Sequence, residues 1–354
     1  MNQRVVIAGG GAVGITAAAT LARRGADVVL CDSASLGDNA SGVAAGMLAP
    51  AMETIFDPAS QGHFSILEAA RAEWSAFAEA FGVTLERSGA VAVGDPDRLA
   101  AWEARLVEEG ARFERLIPFQ AKALSPELAE DLGALHAPDD LRLRAGDALR
   151  VLRDAAVAAG AHLVSEDVIE WSPGRARLAG GDSIEADVLL VATGAAREMQ
   201  VLAPELSAVT PIKGHIALTR DAMMDGPVVR GDGVYICPTP AGVLVGATME
   251  VGLSDRRVDP EIIAGLTARA ALLLPTLRGA RFEAAAAVRG ATPDGLPLLG
   301  WSQTPGMMLA VGARRNGWLL APLMANMINA YLSDKDAGPF ASRFDPQRFR
   351  GPAA

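Results

Sequence analysis

Gly9, Gly11 and Gly14 set out a Gly-x-Gly-x-x-Gly turn near the start of the chain. In the right setting, that spacing lets a backbone cradle a pyrophosphate. Gly9 permits the tight turn, Gly11 lets the main chain approach the phosphates, and Gly14 lets helix and strand pack closely. Ala12 and Val13 lie inside the turn. A helix that opens here offers unpaired N–H groups and the positive end of its dipole to an anion. Asp32 stands where a carboxylate can accept hydrogen bonds from an adenosine ribose, with Ser33 next to it.

These residues need a strand–turn–helix–strand unit to hold them, and the pattern supplies one. Arg4 to Ala8 is an apolar run, Ile15 to Arg24 reads as a helix stopped by Gly25, and Asp27 to Leu30 reads as the second strand. At 354 residues the chain exceeds one ordinary core, so two domains are expected. Half of the residues are apolar and 21% are charged, as in a globular protein with a large interior. A net charge of −10 gives no support to a nucleic-acid or anionic-membrane partner. No apolar run reaches membrane-spanning length, because Arg314, Arg315 and Asn316 interrupt Met307 to Leu332. Cys31 and Cys237 fall in expected strands and suggest no disulfide framework. With a strand starting at Arg4, no leader is expected and the cytoplasm is the expected compartment. The four histidines lack metal-ligand spacing, so no metal is expected.

Further along, Ser65 to Phe81 carries apolar residues at helical spacing and stops at Gly82. Val83 to Gly94 reads as a hairpin through Ser88-Gly89. Helices are expected from Asp95-Pro96 to Glu109, briefly from Ser125-Pro126, and from Asp147 to Ala159. Val164 to Glu170, which includes Val168, reads as extended. Arg175 to Leu178 and Ser183 to Ala186 should pair across Gly180-Gly181. Val188 to Ala192 is a continuous apolar run, as a buried parallel strand should be, and ends in Thr193-Gly194. The second half reads as antiparallel strands: His215 to Thr219, Val228 to Arg230, Tyr235 to Cys237, Val243 to Gly246 and Phe282 to Arg289. A helix from Asp259-Pro260 to Leu274 interrupts them. Strand then helix return at Met307 to Val311 and Gly317 to about Ser333, before a polar tail expected to lie on the surface. No linker separates the halves, so the second domain should be inserted into the first.

Five segments resemble the D-amino acid oxidase superfamily, most of all its glycine oxidase branch in thiamine biosynthesis. They are Ala40 to Pro50, Pro211-Ile212-Lys213-Gly214, Tyr235 to Pro238 with Val245 to Glu250, Arg289 to Gly300, and Gly312 with Arg315 to Pro322. The resemblance implies an α/β, α+β two-domain flavoprotein with a Rossmann-like FAD domain and an antiparallel-sheet substrate domain. The FAD domain would comprise 1–82, 141–214 and 290–354, and the substrate domain 83–140 and 215–289. It also implies oxidative deamination of glycine or another small D-amino acid or secondary amine acid. Hydride passes from Cα to flavin N5, and oxygen returns as hydrogen peroxide. Such chemistry needs no general base if the amine arrives neutral, because the flavin carries the hard step.

The residue roles are likewise what the resemblance implies. Arg289 would bind the substrate carboxylate, which suits a planar, permanently charged fork. Tyr235 would support the same carboxylate, Met249 would line the pocket, and Arg315 would belong to both substrate and flavin sites. FAD contacts would fall on Gly9, Gly11, Ala12, Val13, Gly14, Asp32, Ser33, Ser41, Ala45, Gly46, Met47, Val168, Thr193, Gly194, Gly312, Arg315, Asn316, Gly317, Trp318 and Leu319. His215, where relatives often carry glutamine, reads as a structural hydrogen-bonding residue rather than a base. The chain departs from the family at Ala313 and Arg314, which replace a histidine and an aromatic, and at Trp318, which replaces a smaller apolar residue. No cysteine follows Arg289, so FAD should be non-covalent. Two other readings stay open: a dehydrogenase of the D-amino acid or proline type that feeds a quinone or carrier, and a flavin-binding partner protein without turnover. Self-association into a homo-oligomer also stays open.

Overall fold

The computed structural model describes residues 3–349. Residues 1, 2 and 350–354, counted above with the cofactor domain, lie outside the described residues. Among the described residues, Arg4–Ala8 lies inside a six-stranded sheet. The order is Leu298–Trp301, Met307–Val311, Val188–Val191, Arg4–Ala8, Asp27–Cys31, His162–Val164. Every neighbour is parallel except the first pair. Continuous apolar strands suit a parallel sheet covered on both faces. Alternate residues serve opposite faces. Val5, Ile7, Val28 and Leu30 pack with residues of the helices Ala12–Arg23 and Gly317–Leu332. Val6, Val29, Leu189 and Val191 pack instead with Trp171, Ala176 and Leu178. Those three belong to a small antiparallel sheet of Val168–Ser172, Arg175–Leu178 and Ser183–Glu185.

A second, nine-stranded sheet carries the other lobe. Its longest strand, Thr210–Thr219, is antiparallel to Gly242–Gly246 on one side and to Glu283–Ala291 on the other. Val234–Thr239 follows, antiparallel to Gly242–Gly246. On one face Ile216, Tyr235 and Leu244 pack with Ala45 and Met52. On the other, Ile236, Val243 and Val245 pack with Leu266 and Ala270 of the helix Pro260–Leu273.

The structure corrects several local expectations. Val83 to Gly94 is not a hairpin. Leu85–Glu86 pairs with Leu141–Leu143, whereas Ala90–Val93 joins the nine-stranded sheet. Gly89, at φ +74°, turns the chain from one sheet to the other. Val228–Gly231 runs parallel to Ala90–Val93, so the second sheet is not wholly antiparallel. Ser125-Pro126 does not start a helix: Pro118–Leu124 is helical and ends there. Pro118 takes the first helical position, where its missing N–H costs nothing. Val164 to Glu170 divides into His162–Val164 and Val168–Ser172, which serve different sheets. The C-terminal tail is not only surface: Phe344, in the short helix Ala341–Phe344, is fully buried in the first core. One unforeseen helix, Pro50–Phe56, matters for the site.

Candidate active site

A cavity of about 480 Å³ runs along the C-terminal ends of the parallel strands. Its wall includes Gly9, Gly11, Ala12, Val13, Asp32, Ser41, Val168, Thr193, Gly194, Gly312, Arg315, Gly317 and Trp318. Gly9 has φ +106°, and a Cβ there would lie 2.6 Å from the Ala192 carbonyl oxygen. A Cβ on Gly14 would collide with the Gly9 carbonyl, so this glycine serves helix–strand packing and does not line the cavity. Gly11 is different. Only the Ser41 hydroxyl comes near its missing side chain, at 3.2 Å, so the turn is bare towards the cavity. Ser41 Oγ accepts a hydrogen bond of 2.8 Å from the Ala12 N–H at the helix entrance. Asp32 accepts from the N–H groups of Gly10 at 2.6 Å and Ala34 at 2.8 Å. A turn stripped of side chains at a helix N-terminus, with an acid beyond it, fits the pyrophosphate and ribose of a dinucleotide.

A smaller chamber of about 70 Å³ adjoins this cavity. Ala40, Ala44, Arg289, Arg315 and Trp318 line both. The chamber wall also takes in Ala45, Gly46, Met47, Glu53, Gly214, Tyr235, Met249 and Asn316. Strand periodicity decides which residues face it. Gly214 and Ile216 do, so Lys213 and His215 turn to the far side. There Lys213 pairs with Asp255 at 2.8 Å. His215 Nδ1 lies 2.7 Å from Glu250, and its Nε2 accepts from the Asp259 N–H at 3.0 Å. The second bond requires an unprotonated Nε2, so Nδ1 carries the proton and donates to Glu250. His215 is thus a buried connector, as its sequence context suggests.

Three arginines in and around the chamber are already paired. Glu53, from the helix Pro50–Phe56, accepts from Arg230 Nη1 at 2.9 Å and from Arg315 Nη2 at 3.3 Å, and its second oxygen forms an ion pair with Arg315 Nε at 3.0 Å. Arg314 forms two bonds of 2.8 Å to Asp57 just beyond that helix. Asp140 accepts from the N–H groups of Ala51 and Met52 and so caps the helix start. Burial pushes its carboxyl up to about 7. Arg289 is the exception. Its Nη1 donates to the Thr248 carbonyl at 3.4 Å and to Met249 Sδ at 3.0 Å. Among the described residues no carboxylate lies within ion-pair distance of it. Tyr235 is buried, and burial pushes its hydroxyl up to about 12, so it stays a donor at neutral pH.

Three of the expected contacts lie away from the cavities. Ser33 is exposed and donates to Asp167 at 2.6 Å. Gly14 packs inward, as described. Leu319 is fully buried, and its carbonyl accepts from Trp74 Nε1. Glu53, Arg230, Asp57 and Asp140 are new to the account. Pro50 with Glu53 three residues on was a legible helix start, but nothing local tied either to the arginines.

The dinucleotide-type cleft opens into a chamber with an arginine that has no acid partner among the described residues, an arrangement that fits a flavin-dependent oxidoreductase. The chain belongs to the FAD dependent oxidoreductase (DAO) family, whose model matches residues 4–331. It is 31% identical to the glycine oxidase of Geobacillus kaustophilus (strain HTA426), covering 95% of this chain and 96% of that protein. The crystal structure of glycine oxidase from Geobacillus kaustophilus matches with a TM-score of 0.86 and 28% identity, covering 99% of this chain and 100% of that one. The crystal structure of iminodiacetate oxidase from Chelativorans sp. BNC1 matches with a TM-score of 0.85 and 25% identity, covering 97% and 99%. The protein is an FAD-dependent enzyme of glycine oxidase type. Among the described residues no helix is long and apolar enough to cross a membrane.

Proposed function

We propose that the enzyme oxidatively deaminates glycine or another small amino or secondary amine acid. The observation that carries this is Arg289, a guanidinium without an acid partner in a small chamber beside the cofactor cleft. A charged group taken from water needs a counter-ion, and a substrate carboxylate supplies one in bidentate geometry. Tyr235 donates its hydroxyl to the same carboxylate. Met249, Gly214 and Ala287 leave room for little more than a small side chain. Glu53 is committed to two guanidiniums and does not act as a base. The substrate amine therefore enters neutral, with Cα–H aimed at the cofactor. When bound, FAD supplies a hydride acceptor and passes the electrons to oxygen, giving hydrogen peroxide.

The six-stranded sheet with its helices serves as the FAD lobe, and the nine-stranded sheet, which carries the whole of Thr210–Thr219 and Glu283–Ala291, as the substrate lobe. FAD is held without a covalent bond. Cys31, at the Asp32 end of the cleft, is buried and its thiol is pushed up to about 12, which makes it a poor nucleophile. Cys237 is buried next to Arg142. Two unpaired thiols suit the cytoplasm. The test is an amino-acid screen that follows bleaching of the flavin without oxygen, then re-oxidation on mixing with oxygen. Bleaching by no amino acid would sink the proposal. Bleaching without re-oxidation would convert the oxidase into a dehydrogenase.

A further inference from the structure

Gly214 and Gly246 have no conformational need to be glycine. Neither has a positive φ, so both backbones accept an L residue. What they lack is room. A Cβ on Gly214 would lie 2.8 Å from Arg289 Cζ and Nη1 and would press on Nη2. A Cβ on Gly246 would lie 2.8 Å from Tyr235 Cε2 and would press on the hydroxyl. Register explains both. Gly214 pairs with Ala287, which places Arg289 two residues on along the same face. Tyr235 stands directly opposite Gly246. Each polar head lies flat over a glycine.

The side chains these glycines admit are the two assigned above to the substrate carboxylate, so the inference rests on that assignment. We propose that Gly214 is a positioning residue: the absence of a side chain there seats the Arg289 guanidinium against the strand Thr210–Thr219 and fixes where the carboxylate lies. Gly246 does the same for Tyr235. The seat matters because little else holds Arg289. Arg230 and Arg315 are tethered by Glu53, and Arg314 by Asp57. Among the described residues Arg289 has one carbonyl and one thioether as hydrogen-bond partners. Its guanidinium is the far end of a flexible side chain. A methyl group at 214 therefore displaces the guanidinium and leaves the strand in place. The carboxylate then loses the aligned fork that would bind it.

The test is Gly214→Ala in the full-length, FAD-loaded protein. FAD content and melting temperature should stay close to wild type. The dissociation constant of glycolate, read from the flavin absorbance, and the KM for glycine should both rise about 30-fold or more, the effect of losing an aligned charged pair. kcat should change far less. In an Arg289→Ala background the same Gly214→Ala change should alter glycolate affinity by less than about twofold, because its collision partner is gone. Unchanged glycolate affinity in the single variant overturns the proposal. So does an equal penalty in both backgrounds, which would mean a role that does not pass through Arg289. Should Gly214→Ala fail to fold, folding of the double variant would support the collision, and failure of both would overturn it. If Arg289→Ala alone keeps full glycolate affinity, the carboxylate assignment itself is wrong, a result distinct from failure of the glycine seat.

Discussion

Glu53→Gln is the sharpest probe of how the chamber is held together. The carboxylate is shared by two guanidiniums at 2.9 and 3.0 Å, and the side chains of Glu53 and Arg230 are only 5% and 3% exposed. Glutamine keeps the shape but removes the charge and turns one acceptor into a donor facing a cation. Breaking a buried ion pair from one side costs about 3–5 kcal/mol, because the partner stays buried and charged. Arg230 has no other ion-pair partner among the described residues. Asp140, the next acid, is itself partly protonated near neutral pH, since burial raises it to about 7. For a chain of this size the loss corresponds to a fall of roughly 4–7 °C in melting temperature. The assay is thermal unfolding at fixed protein and FAD concentration, because bound cofactor adds its own stability. Arg230→Met in the Glu53→Gln background should cost almost nothing further, since it removes the stranded cation. A melting temperature within about 2 °C of wild type would show that the network carries no structural weight.

Other consequences can be checked directly. Gly11→Val should abolish FAD binding while the chain still folds, because the turn rests on Gly9 and the side chain enters space left bare for phosphate; near-normal FAD affinity would refute the cradle. Asp140 should make stability fall with rising pH. Its folded pKa of about 7 lies above the unfolded value, so the native state holds the extra proton between roughly pH 4 and 7. The contribution is complete below that window and drops by about 1.4 kcal/mol per pH unit through it. Asp140→Asn should flatten that slope, and an unaltered pH profile of melting temperature would contradict the assignment.

The sequence made the cofactor half easy to read. The Gly9–Gly14 turn, its flanking strands and Asp32 lie close together, so one local pattern reports one local structure. Val188 to Ala192 was legible as a buried parallel strand from its continuous apolar run, and Met307 to Val311 as a strand. The errors arose where a short segment's partner is distant. Leu85–Glu86 and Ala90–Val93 look like a hairpin because a period of two assigns faces and says nothing about neighbours. Glu53 was missed because its meaning depends on Arg230 and Arg315, 177 and 262 residues away. Arg289 and Tyr235 were found through the resemblance of whole segments, not through any periodicity of their own. The structure adds that strand register sets both side chains over glycines, Arg289 over Gly214 and Tyr235 over Gly246.

The central claim is that Arg289 anchors the substrate carboxylate, and anaerobic flavin reduction by glycine tests it most directly. Wild-type enzyme should bleach. Arg289→Ala should lose on the order of 30- to several-thousand-fold in kcat/KM, the worth of a charged bidentate pair. Arg289→Lys should recover only part of that, because it keeps the charge without the fork. The oxidised flavin spectrum should be almost unchanged in both variants. An Arg289→Ala enzyme that reduces its flavin with wild-type kcat/KM would contradict the account.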